Sequence, residues 1–298
     1  MLAITPTPEF ERVAALARRD PADLKTEAIA AAVTRALAMP GSTRAFFPIQ
    51  AAALVAACRS TELGSPGAVL PLGVGEGKTD VSFVLPYILA ADRAVLLVPG
   101  SLTTSKPGTL GKTERDFRAL RAHWKERPYG QIISYERLGR ANGGDILLKY
   151  RPDLIVCDEA HMLRNAEGAA CARVVIAYVK AARAAGHRVF FVIMSGTLTG
   201  GKLGHMAHLV DLALEARSFL PRDEYDLDMW RRAVDADVEV GGRVAPGCLL
   251  DFCQPEDLKG SQLQRARRAI RRRMHETEGV IASTSHRVRA ALRLNAIG

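Results

Sequence analysis

The chain has 298 residues, 48% of them hydrophobic and 24% charged, a composition that folds and that suffices for one large domain or two ordinary ones. No run of eighteen apolar residues occurs, so no helical membrane span is expected, and Glu9, Glu11 and Arg12 interrupt the start before a signal-peptide core forms. A net charge of +9 favours a polyanionic partner, and five scattered cysteines without a CxxC pair fit a reducing, cytoplasmic compartment better than a disulfide framework.

Taken in chain order, Val13, Leu16 and Ala17, then Ala28, Ala32, Val33 and Leu37, recur at helical spacing. They predict two amphipathic helices divided near Pro21, a helical N-terminal segment over 1–45. Pro48–Cys58 reads as a third helix with its proline in the first turn. Five short apolar runs follow: Ala68–Pro71, Ala94–Val98, Gln131–Ser134, Leu154–Cys157 and Arg188–Met194. Runs of this kind, without polar alternation, are strands covered on both faces. The helix-length segments between them supply crossovers, so the expected fold is α/β with a mostly parallel, doubly wound sheet over 46–255.

Beyond Ser195 the pattern predicts a helix within 201–220, a loop-rich stretch over 221–250 and a basic helix over 262–275. Residues 256–298 are expected to form a basic helical extension; from Pro255 onward ten Lys/Arg face four Asp/Glu. Arg265, Arg267, Arg268, Arg271, Arg272 and Arg273 spread over more than one helical face. At least two of them should meet something other than water, either a phosphate backbone or acidic groups of a missing lobe; a solvated, arginine-rich connector is the plain alternative.

The chemistry concentrates in Gly73-Val74-Gly75-Glu76-Gly77-Lys78-Thr79, set between an expected strand and an expected helix. Gly75 and Gly77 let backbone N–H groups turn around a phosphate, and the helix N-terminus adds partial positive charge. Lys78 would neutralise the outer phosphates of ATP, and the Thr79 hydroxyl would ligate Mg2+. Leu72 stands where the longer GxxxxGK[ST] pattern has glycine, so the shorter GxGKT form is the one that fits. The apolar run 154–157 ends in Asp158 and Glu159, which face the same crevice if the sheet is parallel. Asp158 can hold the metal and Glu159 can orient and deprotonate a water. A solvated acidic turn that caps the next helix is the plain alternative.

Gly75–Thr79, Asp158-Glu159-Ala160-His161 and Ser195-Gly196-Thr197, in that order, resemble motifs I, II and III of superfamily 2 helicases and translocases, of DEAH-box, Swi/Snf-like or phage type. Phe47-Pro48-Ile49-Gln50 resembles the adenine-reading Q motif, Leu96–Leu102 motif Ia, and Ile132–Leu138 motif Ib. The resemblance covers roughly residues 45–200 and implies a RecA-like ATPase lobe that works on nucleic acid, DNA ahead of RNA. It implies that Gln50 reads adenine while Phe47 stacks on it, and that Glu76 lies in the phosphate loop. It also implies that Ser195, Thr197 and His161 couple hydrolysis to movement, and that Ser101 and Ser134 contact a sugar-phosphate backbone. Tyr135 either stacks on that chain or belongs to the core. Serine and threonine at 195 and 197 equally suit a helix cap.

In this family ATP closes between two RecA-like lobes, and the second brings arginine fingers. No QxxGRxxR-like motif occurs here, and about one hundred residues follow Thr197, so the chain resembles a first lobe alone. Arg271–Ile281 resembles the stretch that joins the lobes, and a second lobe, in the same full-length chain or in trans, is the implied partner. Two other readings stand beside it: a lobe that binds ATP and nucleic acid without turnover, and another P-loop ATPase or kinase. His205, His208, Cys248 and Cys253 read as surface histidines and core cysteines ahead of a zinc site.

Overall fold

The computed structural model describes residues 2–103, 109–164, 166, 168–196, 202–235 and 238–281. Its strands are β1 (Gly67–Leu70), β2 (Ala94–Val98), β3 (Gln131–Ser134), β4 (Leu154–Asp158) and β5 (Phe190–Met194). The helices are α1 (Pro8–Ala15), α2 (Glu27–Leu37), α3 (Pro48–Glu62), α4 (Lys78–Ile88), α5 (Lys112–Leu120) and α6 (Tyr135–Leu138), followed by α7 (Gly143–Tyr150), α8 (Ala170–Ala184), α9 (Ala207–Leu214), α10 (Glu224–Val234) and α11 (Gln262–Glu276). All five expected strands form, with ends shifted by at most two residues. Every pairing is parallel, in the order β1-β5-β4-β2-β3.

The apolar runs are buried because helices cover both faces of the sheet. Val69, Val95, Leu97, Ile155, Cys157, Phe191 and Ile193 point to one side, against residues of α6 to α11 and of α1. Ala68, Leu70, Leu96, Val156, Val192 and Met194 point to the other, against α2, α3, α4 and α5. Each fully buried leucine or valine contributes about 1.5–3 kcal/mol, so this two-sided packing is the main source of stability. Among the described residues no helix is long and apolar enough to cross a membrane.

Two expectations change. The stretch read as loop-rich contains α10, whose Asp223 side chain caps the first turn (Asp226 N to Oδ1, 3.0 Å) and whose Met229, Trp230, Ala233 and Val234 are buried. Its five charged residues hide that stripe from a hydropathy reading. The helix expected within 201–220 shortens to α9, because Glu215 takes a positive φ of 46° that ends it.

The basic helix α11 is largely internal. Arg273 is 2% exposed and donates to the carbonyls of Val13 (3.0 Å) and Leu16 (2.5 Å), which closes the end of α1. Arg272 pairs with Asp257 and with Glu276 (3.2 Å). Arg268 donates to the carbonyl of Asp257 (2.5 Å), and Arg267 to that of Val234. At least two arginines do meet something other than water, but their partners are this chain's own carbonyls and carboxylates, not the expected phosphate backbone or second lobe. Past α11 the chain returns to the open edge of β1: Val69 N donates to Gly279 O (2.8 Å) and Ile281 N to Val69 O (3.0 Å). Arg19 holds that strap by donating to Val280 O (2.6 Å).

Replacing Arg273 by methionine strips two carbonyls of a charged donor and should cost about 2–3 kcal/mol. Arg271→Met, on the exposed side, should stay within about 0.5 kcal/mol. Urea unfolding of both variants checks this, and equal stabilities would remove Arg273 from its anchoring role.

Candidate functional site

The register lines up three strand ends. Leu70 of β1 and Asp158 of β4 both pair with Met194 of β5, so the segments that follow each strand emerge side by side. Open parallel sheets bind ligands at this edge. The loop after β1 starts from Leu72, which is fully buried; a core anchor therefore replaces the first glycine of the longer pattern. Gly75 and Gly77 take φ of +82° and +76°, conformations that side chains rarely adopt. A Cβ on Gly77 would lie 1.8 Å from Gln50 Nε2, and one on Gly196 would lie 3.2 Å from Leu72 O. Glycine at 196 thus lets the end of β5 press against the loop.

Among the described residues nothing accepts from the backbone N–H groups of Gly75, Gly77, Lys78 or Thr79. They are the orphan donors of a helix start, joined by two left-handed glycines into a concave set that suits an anion. Glu76 turns inward, its Oε2 accepting from Gly73 N at 2.5 Å.

Lys78 Nζ donates to Glu159 Oε1 at 2.5 Å, with the two side chains 12% and 25% exposed. Glu159 sits at φ +53°, a strained position for a residue with a side chain. Its other oxygen lies 3.2 Å from His161 Nδ1, and the same nitrogen lies 3.2 Å from the hydroxyl of buried Ser195. Because His161 meets serine and carboxylate through one nitrogen, this trio cannot relay a proton as a serine hydrolase does. Burial pushes the Asp158 carboxyl above its ordinary pKa, against the pull of Lys78. Asp158 Oδ1 accepts from Glu159 N (3.0 Å), and its carbonyl from the Tyr135 hydroxyl (2.7 Å).

Other expected residues land differently. Gln50 is 3% exposed; its Oε1 accepts from Phe47 N (2.8 Å) and its Nε2 donates to Gly77 O (3.4 Å). It braces the glycine-rich loop after β1 and presents no exposed amide. Phe47 is 65% exposed and free to stack. Ser101 is exposed on a short turn, whereas the Ser134 hydroxyl caps α6 by accepting from Arg137 N (3.1 Å). Tyr135 is 1% exposed, so the core reading of that residue is correct and the stacking one is not. A Cβ on Gly100 would lie 2.7 Å from Glu136 Oε2, which puts a carboxylate between the turns that carry Ser101 and Ser134. Thr197 lies outside the described residues. His208 Nε2 rests 2.8 Å from Leu163 O, and burial lowers its pKa.

Sequence reasoning missed a second anchor. Asp80 Oδ1 accepts from Trp124 Nε1 (2.9 Å) and from Arg44 Nη1 (3.1 Å), while Phe46 stacks on Trp124 at 4.0 Å. This cluster ties the Phe46-Phe47 turn to the first turn of α4. An aspartate directly after Thr79 was the available signal. No family model matches the chain, and no curated protein matches it significantly.

Gly75→Ala and Gly77→Ala both force alanine into the left-handed region, at about 1–2 kcal/mol each. Only the second also strikes Gln50, so its thermal midpoint should fall further. Equal losses would show that Gln50 does not brace the loop.

Proposed function

We propose that the chain binds ATP with Mg2+ at the Gly73–Thr79 loop and is the hydrolysing, RecA-like lobe of a nucleic-acid-dependent motor. The observation that carries this reading is the meeting of open loop amides, Lys78, Asp158 and Glu159 at one sheet edge, with β5 between β1 and β4. The four open N–H groups and one lysine suit a polyphosphate. The Thr79 hydroxyl and the half-desolvated Asp158 carboxyl supply two hard oxygen donors that suit Mg2+. When bound, that ion would spread the charge of the transferred phosphoryl group.

The residues divide the work as follows. The β- and γ-phosphates take the Lys78 ammonium, which must first leave Glu159. Glu159 is then a free carboxylate beside the phosphate, positioned to accept a proton from the attacking water. His161 holds the second Glu159 oxygen and is itself held by Ser195, so a change at the base is passed to the end of β5. Phe47 offers an exposed ring to the base. A second lobe that supplies an arginine is the expected partner, since its absence costs about 10³–10⁵ in rate. The Lys78–Glu159 pair also favours a second reading, a lobe that binds ATP but turns over only when that lobe docks.

Lys78→Ala should remove most ATP affinity in isothermal titration; affinity equal to the parent's would refute the assignment. Glu159→Gln should bind ATP several-fold tighter than the parent, because it releases Lys78, and should not hydrolyse it. Weaker binding would mean the ion pair does not compete with phosphate. Because the Asp158 carboxyl holds its proton to higher pH than an ordinary carboxylate, Mg-ATP affinity is full above that raised pKa and lost as pH falls through it. The loss should begin above the usual aspartate range and vanish in Asp158→Asn, as titrations across pH would show.

A further inference from the structure

A second constellation lies on α5, outside the phosphate site. The helix begins where Gly111 packs against Leu102 O, next to the exposed Ser101 turn, and runs roughly 13 Å. Lys112, Arg115, Arg118 and Arg121 follow one another along it, all exposed. Over 112–127 six Lys/Arg stand against three Asp/Glu. Glu114 is spent on capping Gly111 N (2.7 Å), and Glu126 pairs with Arg121 (2.9 Å). Among the described residues no acceptor meets Lys112 or Arg118.

Beneath this row is a cleft of about 240 Å³ between α5, α4 and the edge strand β3. Leu110, Phe117, Tyr129 and Ile132 line it, together with Arg118, Arg121 and the already engaged carboxylates of Glu114 and Glu126. Phe117 and Tyr129 stack at 5.8 Å, and Phe83 meets Phe117 edge-on at 5.3 Å. The Tyr129 hydroxyl donates to Ser82 O (2.7 Å), which fixes the ring. A fixed aromatic wall beside unpaired cations recognises one chemistry, a planar base that carries a phosphate.

We infer that this cleft takes one nucleotide unit of a single-stranded nucleic acid, its base against Tyr129 and Leu110 and its flanking phosphates on Lys112 and Arg118. A duplex would have to unstack a base to enter, so a single strand is the better fit. The inference extends the nucleic-acid part of the proposed function, yet it uses no residue of the phosphate loop. It moves the contact away from the carboxylate of Glu136 and onto the α5 surface.

The test is anisotropy of a fluorescent oligothymidylate with the whole chain over a salt series. Arg118→Glu should weaken binding at least about tenfold and flatten the slope of log K against log salt by about 0.7 per lost phosphate contact. Lys78→Ala should leave both unchanged, which separates this site from the ATP site. An iodouracil placed in the strand should crosslink to Tyr129 or Phe117. Arg118 is exposed, so Arg118→Glu should keep the parent circular dichroism and melting point. Unchanged affinity and slope in that folded variant, or no binding by the parent, overturns the inference. AMP as competitor distinguishes the sources: displacement only at far higher concentration supports the strand, and equal potency assigns the cleft to a free nucleotide and overturns it.

Discussion

Everything at the sheet edge depends on β5 being inserted between β1 and β4 in parallel register. That insertion brings together a cation after β1, two acids at the end of β4 and a buried serine after β5. Were the sheet ordered by sequence, two strands instead of one would separate the lysine from the acids, about 5 Å more. The closeness has an electrostatic consequence. Lys78 and Glu159 neutralise each other, and Glu159 does so from a left-handed backbone. The proposed substrate therefore competes with an internal carboxylate, which couples occupancy of the loop to freedom of the base.

The second constraint is how the positive charge is spent. Arginines of α11 that look, as a sequence, like a polyanion surface are mostly internal donors. Arg267, Arg268, Arg272 and Arg273 reach carbonyls and carboxylates of the same chain and bind α11 to α1, α10 and the segment near Asp257. Each such bond satisfies a carbonyl that would otherwise be desolvated without a partner. Exposed cations with no acceptor among the described residues also lie on α5, at Lys112 and Arg118.

The strands were legible because runs such as Ala94–Val98 are apolar at every position, which only a sheet covered on both faces requires. That the Gly73–Thr79 turn and the Asp158-Glu159 pair would lie side by side was legible because both follow apolar runs of one parallel sheet. What was not legible depends on distant partners. Tyr135 is a core residue because Asp158, 23 positions later, offers its carbonyl. Gln50 is a brace because Gly77 lies below it. Helix α10 shows a weak apolar stripe until Trp230 is seen to pack in the same core as β1 and β5. Local sequence carries no record of these contacts.

The central claim is that a polyphosphate sits on the amides of the loop after β1. Amide hydrogen exchange with and without Mg-ATP reads those groups directly. Slowed exchange at Gly75, Gly77, Lys78 and Thr79, absent in Lys78→Ala, is the result this account requires. Unchanged exchange over 73–79 at saturating Mg-ATP, or protection confined to another part of the chain, would contradict it.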